Sequence, residues 1–412
     1  MTGKVKGISK FSGYQKFVIA ILALTQFSVV LDFMVMSPLG DMLMKSMSLS
    51  TTQFGVAVFS YAFSAGVSGL LTAGFADSFD RKKLLLFFYV GFILGTLFCG
   101  LADTYPLLIL ARIVTGLFGG VIGSISMAIV SDLFLLEQRG RVMGFLQMGF
   151  GASQVLGIPI SLYIANRWGW QSPFLMIVGL AFIIWFLIFI KMKPINAHLD
   201  KKMETIPYRH LVNTLSQRNY RIGFMATALM SLGGFMIMPW GSSYAINNLK
   251  VTTEQLPFLF MLAGVSTLII MPIIGNLSDR IDKFKIFTVS SIWLMVIVLI
   301  YTNLVPVAFW IVVMLNILMM MGIMSRMVPS IALVTALPEM HDRGAFMSIN
   351  SSLQQMSGGI AAAIGGMIVV QKDNYSPLEN YDTLGIVIVF IIVACILTLR
   401  RVDKIIKNRK VN

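Results

Sequence analysis

Twelve runs of mainly apolar residues, 17 to 30 long, leave this chain few ways to fold. They cover residues 17–43, 53–76, 84–102, 105–130, 142–166, 173–190, 220–247, 255–278, 284–303, 306–335, 344–369 and 383–399. A helix of ~20 such residues crosses the ~30 Å hydrocarbon layer of a bilayer. The runs are continuous rather than alternating, which excludes a lipid-embedded β-barrel. Composition agrees, with 57% hydrophobic and 12% charged residues, whereas soluble domains carry about a quarter charged residues. The expected fold is an all-α polytopic membrane protein with twelve transmembrane helices, solvated by the lipid bilayer.

The net charge of +14 is sorted by side. With the N-terminus placed inside, 26 of the 32 Lys and Arg residues fall in inner segments, and only Lys45, Arg167, Lys250 and Lys372 fall in outer loops. That bias predicts that both termini are cytoplasmic. The basic excess therefore sets topology, with contact to anionic headgroups, and does not indicate nucleic acid. The lysines before the first run resemble the start of a signal peptide, but the run is too long for one and reads as a retained helix. Arg112 and Arg326 are the two remaining bases, both inside runs.

Chemistry of other kinds finds little support. Cys99 and Cys395 lie in apolar runs, which argues against a disulfide framework. His198, His210 and His341 are all in inner segments, so the core has no histidine for a metal or a proton relay. An enzyme in the membrane would gather His, Cys or paired acids in its core, and none gather here. No GxxxxGK[ST] loop is present, so an ion gradient rather than a nucleotide is the expected energy source. No cofactor is expected.

The chain repeats itself. AGFADSFDRKKL at 73–84 is echoed by GNLSDRIDKFKI at 275–286, aligning Asp77 with Asp279, Asp80 with Asp282 and Arg81 with Lys283 at an offset of 202. Arg139-Gly140 and Arg343-Gly344 repeat at 204. Two tandem halves follow: a six-helix bundle over 1–190, a basic linker over 191–219, and a second bundle with a basic tail over 220–412.

These turns resemble the signature between helices 2 and 3, and its weaker copy between 8 and 9, of the major facilitator superfamily. Ala76, Asp77, Arg81, Lys82 and Lys83 match the first copy, with Ala73 and Asp80 where glycines stand in the family. Gly275, Leu277, Asp279 and Arg280 match the second. The resemblance covers essentially the whole chain and is nearest in look to bacterial twelve-helix drug:proton antiporters and sugar-efflux-like permeases. It implies a monomeric secondary transporter in the bacterial cytoplasmic membrane, moving a small molecule by alternating access. It also implies that Asp77, Arg81, Asp279 and Arg280 latch the halves on the inner side. Asp132 and Arg139 resemble a charge relay of that latch, or are ordinary flanking charges. Gly151, Gly157 and Pro159 resemble an antiporter signature in the fifth run, although Ile158 separates the Gly-Pro pair.

Within the runs, Asp32 is the one deep carboxylate. It reads either as a proton-binding site or as a structural acid paired with an arginine. Pro38 and Gly40 are placed to break its helix. Arg112 precedes Thr115, Gly116, Gly119 and Gly120, a patch that admits a close neighbouring backbone. It either pairs with Asp32 or snorkels outward. Arg326 in the tenth run is the best second-half contact for substrate or coupling, or else snorkels inward. Gln147, Gln154, Asn316, Asn350 and Gln354 are cavity walls or interhelical glue, and Trp240 and Tyr244 line a substrate path or sit in an interfacial belt. The leading expectation is proton-coupled efflux of a small amphipathic or cationic compound. The alternatives are proton-coupled uptake or facilitated diffusion of a nutrient.

Overall fold

The computed structural model describes residues 11–72, 78–196, 199, 207–339, 342–373 and 375–411. In chain order its helices are α1 (Gly13–Val35), α2 (Gly40–Met47), α3 (Thr51–Thr72), α4 (Arg81–Gly100), α5 (Tyr105–Leu133), α6 (Leu136–Ala152), α7 (Ile158–Trp168) and α8 (Ser172–Lys191). A short helix α9 (Pro207–Ser216) lies in the linker, followed by α10 (Arg218–Phe235), α11 (Gly241–Ser243), α12 (Leu256–Arg280), α13 (Lys283–Thr302), α14 (Phe309–Thr335), α15 (Arg343–Ile368) and α16 (Tyr381–Val411). Among the described residues, eleven helical segments are long and apolar enough to cross a membrane. The one remaining run, the eleventh, forms too, as α15, but Asn350, Gln354, Gln355 and its serines make it more polar than the others.

Helix starts follow local chemistry. Three reciprocal caps precede spans: Ser12 with Gln15, Ser50 with Gln53 and Thr252 with Gln255. In the first two, the hydroxyl accepts from the third helical N–H and the glutamine accepts from the cap N–H; Thr252 and Gln255 make the same exchange in the turn just before α12. Pro106, Pro173 and Pro257 stand at first-turn positions, where a missing N–H costs nothing. Inside the runs Pro272 and Pro329 are absorbed by continuous helices, whereas three other prolines interrupt. The first run stops at Val35 and restarts at Gly40 across a turn holding Pro38. The fifth widens into a π turn, Ser153–Gly157, just before Pro159, and the seventh tightens at Met238–Trp240 around Pro239.

The repeated turns cap the helices after them. Asp80 accepts from the Lys83 N–H at 2.9 Å and Asp282 from the Lys285 N–H at 3.0 Å. Each also ties down the chain that leaves its own half. Asp80 accepts from the Ile195 N–H at 2.8 Å, just after α8, and Asp282 from Lys407 Nζ at 2.7 Å, near the end of α16. Aspartate thus replaces the signature glycine for a reason: it is an N-cap with a second oxygen to spare. The hydrogen bond from Lys407 holds the Asp282 carboxyl below its ordinary range.

Helices pack on small residues. A Cβ on Gly116 of α5 would lie 2.3 Å from the Tyr61 carbonyl of α3, and one on Gly120 would lie 2.6 Å from Ala65. The most extensive helix contact among the described residues joins α3 to α15, across the halves. There Gly55 faces the Ala362 carbonyl and Gly366 faces the Thr51 carbonyl, each at 2.8 Å from where a Cβ would stand. One apolar core runs through the first half and continues into the second half around Trp240, Leu249 and Leu378. A separate core, of Tyr220, Phe287, Leu333, Phe346 and Val402, fills the second half near the basic turns. The halves therefore merge at the end holding α2 and α11, the closed end, and keep distinct cores at the basic end.

Gly116→Leu should cost at least the roughly 1–3 kcal/mol typical of overpacking, because its neighbour is backbone. Gly144→Leu, which meets nothing within 4 Å, should leave the melting temperature unchanged, and equal losses would refute the close approach of α3 and α5. The Lys407 contact to Asp282 should persist at neutral pH and be lost as pH falls through the lowered carboxyl pKa, below the usual value of about 4. Limited proteolysis of the C-terminal helix against pH reads that loss.

Candidate functional site

Asp32 of α1 and Arg112 of α5 meet in the interior of the first half. Arg112 Nη1 donates to Asp32 Oδ2 at 3.1 Å, and both side chains are wholly buried. Arg112 does not snorkel. Its guanidinium carbon lies 4.4 Å from the centre of the Tyr61 ring, a cation–π contact from α3. Gly116 lets that ring's backbone come close, so the glycine patch one turn on positions the arginine. Tyr61 packs on Phe33 at 5.3 Å, and Phe33 on Phe235 of α10 at 5.7 Å. An unbroken line of rings thus links the buried pair to the second half.

The pair is under-bonded. Asp32 Oδ1, Arg112 Nε and Arg112 Nη2 are buried with no hydrogen-bond partner among the described residues. Buried guanidinium–carboxylate pairs are frequently two-pronged, because a lone buried ion pair rarely repays its desolvation. Here the pair makes one bond where two fit, and the Thr96 hydroxyl of α4 stands beside the carboxylate.

The closed end carries the contacts that join the halves. Ser37 Oγ donates to the Met238 carbonyl, and Ser242 Oγ donates to the Ser37 carbonyl at 2.9 Å. Asn247 Nδ2 donates to Asp41 Oδ1 at 2.6 Å, while Lys45 Nζ reaches Asp41 at 2.8 Å and Asn247 at 3.3 Å. Thr51 donates to the Val369 carbonyl at 2.8 Å and Asn166 to that of Thr253 at 3.0 Å. Thr52 adds a bond to the Gly366 carbonyl at 3.0 Å, so these side-chain hydrogen bonds between halves gather at one end. The sequence reading missed this latch, although a signal was present: Pro38 and Gly40 recur as Pro239 and Gly241, both at an offset of 201. The two breaks pack against each other about the pseudo-twofold relation.

Other expected site residues are dispersed. Trp240 is fully buried, edge-on to Phe54 at 5.5 Å, and wedges the closed end; it sits in neither an interfacial belt nor a cavity wall. Tyr244 stacks on Tyr381 at 3.8 Å and donates to the Tyr301 and Leu304 carbonyls, so it too is packing rather than lining. Asn350 accepts from Thr227 Oγ1 at 2.6 Å and is interhelical glue between α15 and α10. Gln154 sits in the π turn with its buried Oε1 unpartnered, beside Gly264 of α12. Gln147 and Gln354 are exposed, and Asn316 is half-buried on α14. Arg326 is buried, bonded to Ser291 rather than to an acid.

At the basic end, Arg81 Nε donates to Asp132 Oδ2 at 3.2 Å, bringing two of the relay residues together. Arg139 instead caps the end of α5, donating to the Ser131 and Phe134 carbonyls. Arg280 is exposed in the last turn of α12. Asp77 lies outside the described residues, as does the side chain of Asp279.

Helices of membrane-spanning length in two repeated sets that break and meet at one end, with a charge pair buried inside the first set, are the architecture of a membrane transporter. The sequence profile of the Major Facilitator Superfamily matches residues 22–363 and 223–410, and the chain belongs to that family. It is 26% identical over 379 residues to the uncharacterized MFS-type transporter YbcL of Bacillus subtilis (strain 168), covering 90% of this chain and 94% of that one. It is 24% identical over 262 residues to a probable sugar efflux transporter of Helicobacter pylori (strain G27), covering 61% and 65%. Its fold is similar to a bacterial homolog of the human lysosomal transporter Spinster, solved inward-facing and unoccupied, with a TM-score of 0.77, 13% identity and coverage of 96% and 98%.

Breaking the buried pair from one side should strand a charge and cost about 3–5 kcal/mol. Asp32→Asn and Arg112→Gln should each lower the melting temperature sharply, and the double variant should recover much of the loss. Additive losses in that cycle would show that the two groups do not interact.

Proposed function

We propose that the protein exports a small amphipathic compound in exchange for protons, by alternating access, with Asp32 as the proton carrier. The observation that carries this reading is the sealed, under-bonded pair of Asp32 with Arg112. The carboxylate can lose its charge only by taking a proton, and in doing so it frees Arg112. A charge pair that makes and breaks with one proton is a two-state element, which a transporter needs to couple flux to a gradient. The name of the Helicobacter pylori relative, a probable sugar efflux transporter, supports outward movement.

The basic end faces the cytoplasm in this reading, by the charge bias of the sequence. The structure is then shut toward the outside, by Ser37 with Ser242 and by Asp41 with Asn247. Toward the inside, α12 packs along α7 and the π turn but scarcely touches α6, whose Gln147 and Met148 are exposed. Substrate enters from that side. Its binding drives the Asp32 proton into the cytoplasm, the closed end opens, and substrate leaves outward. A proton from outside then reaches Asp32, loosens Arg112 and allows the return. Arg81 with Asp132 steadies the first half at the basic end during this rocking.

Proteoliposomes with an imposed pH gradient, assayed with the tightest ligand from a thermal-shift screen of dyes, antibiotics and sugars, test the coupling. Asp32→Asn should abolish gradient-driven accumulation while exchange down a substrate gradient persists. Gradient-driven flux equal to wild type in that variant would refute Asp32 as the carrier.

A further inference from the structure

The halves treat their buried arginines differently. Arg112 has a carboxylate, whereas Arg326 is 3% exposed and has none within ion-pairing distance among the described residues. Its Nε donates to Ser291 Oγ at 2.9 Å, its Nη2 lies 3.5 Å from Met230 Sδ, and its guanidinium carbon is 5.2 Å from the centre of the Phe287 ring. The Cys395 thiol of α16 lies within hydrogen-bonding reach of the guanidinium and also donates to the Ala226 carbonyl at 3.9 Å. A guanidinium stays charged at every accessible pH. Burying it is costly, and a hydroxyl, a thioether and a neutral thiol do not supply the missing charge.

What covers this charge is movable. Met230 of α10 is half-buried while Arg326 beneath it is not exposed, and an unbranched thioether repacks at little cost. Displacing Met230 would free the Nη2 group it covers, next to the Ser291 hydroxyl held at Nε and the Phe287 ring face, so that α14 and α13 present donors and an aromatic wall together. That set is complementary to an oxyanion: a planar fork of donors, a hydroxyl donor, and aromatic and thioether walls for an apolar body.

We propose that Arg326 and Ser291 form an anion site in the second half, and that its occupant is the carboxylate-type headgroup of the transported amphiphile. The inference rests on the transporter reading and narrows its substrate class to compounds that carry a negative charge. Met230 and Phe287 hold the start of the apolar body. A free inorganic anion such as chloride shares the chemistry, so the test separates the two sources.

The test uses the purified full-length protein in detergent, with thermal shift read against sodium decanoate, decyltrimethylammonium and sodium chloride. Decanoate should stabilise the wild type, and decyltrimethylammonium should not. Losing a charged hydrogen-bond partner weakens binding about tenfold or more, so Arg326→Gln should raise the decanoate concentration needed by at least that factor. Ser291→Ala should raise it several-fold, and Arg326→Lys should restore part of the loss. Should Arg326→Gln fail to fold, Ser291→Ala carries the decision. Equal decanoate shifts in wild type and variants, or an equal response to the cationic amphiphile, would overturn the site. Arg326-dependent stabilisation by chloride with no response to decanoate would overturn the headgroup as its occupant. Binding here is read without a gradient, so its failure leaves the proton-coupled reading standing, and loss of gradient-driven flux leaves the anion site standing.

Discussion

A carboxylate and a guanidinium, both shut away from water, meet through a single 3.1 Å bond, and the first half is arranged around that contact. Neither charge is tolerable alone in the bilayer interior, so each fixes the other's helix: α1 and α5 are held face to face by Asp32 and Arg112. The glycines that follow Arg112 bring α3 against α5 closely enough for the Tyr61 ring to sit over the guanidinium. The pair makes one ion-pair bond rather than two, with only the Thr96 hydroxyl and the Cys99 thiol beside its remaining polar atoms among the described residues, so the contact has not been optimised as a brace. It is better suited to changing than to lasting.

The remaining architecture gives that change a direction. Glycines on both sides of the α3–α15 contact let the two halves touch backbone to backbone, a smooth surface over which they can rock. At the closed end the two proline-interrupted spans cross-link through serines, and Asp41, Lys45 and Asn247 add a polar clasp. All of these are hydrogen bonds that water replaces readily, so closure is reversible. At the other end the cores stay separate, and the aspartate caps at 80 and 282 fasten each half to its own trailing chain rather than to the other half. The line of rings from Tyr61 through Phe33 to Phe235 is the packed route by which the charge pair and the second half feel each other.

Much of this was readable in the chain. Runs of fixed length announce spans because the bilayer sets that length, and eleven of the twelve stand out by apolarity alone. The duplicated Asp80 and Asp282 were visible, but their role as caps was not, since capping depends on where a helix begins to within one residue. The partnership of Asp32 with Arg112 was legible because a lone acid and a lone base inside a membrane have few other choices. Trp240 and Tyr244 misled: an aromatic near a span end looks the same in sequence whether it meets headgroups or wedges two bundles together. The clasp of Asp41 with Asn247 joins residues 206 apart, and nothing local to either reveals the other. Arg326 without an acid could be recognised only once its neighbours were known.

Infrared difference spectroscopy of the purified protein, taken between alkaline and acidic buffer, looks directly at the carboxyl on which the account depends. The account predicts one protonated-carboxyl band that appears reversibly on acidification, is missing in Asp32→Asn, and is accompanied by a change in the Arg112 guanidinium absorption. Were the spectra of wild type and Asp32→Asn to coincide throughout, Asp32 would be a permanently ionised brace, and coupling would have to be sought elsewhere in the molecule.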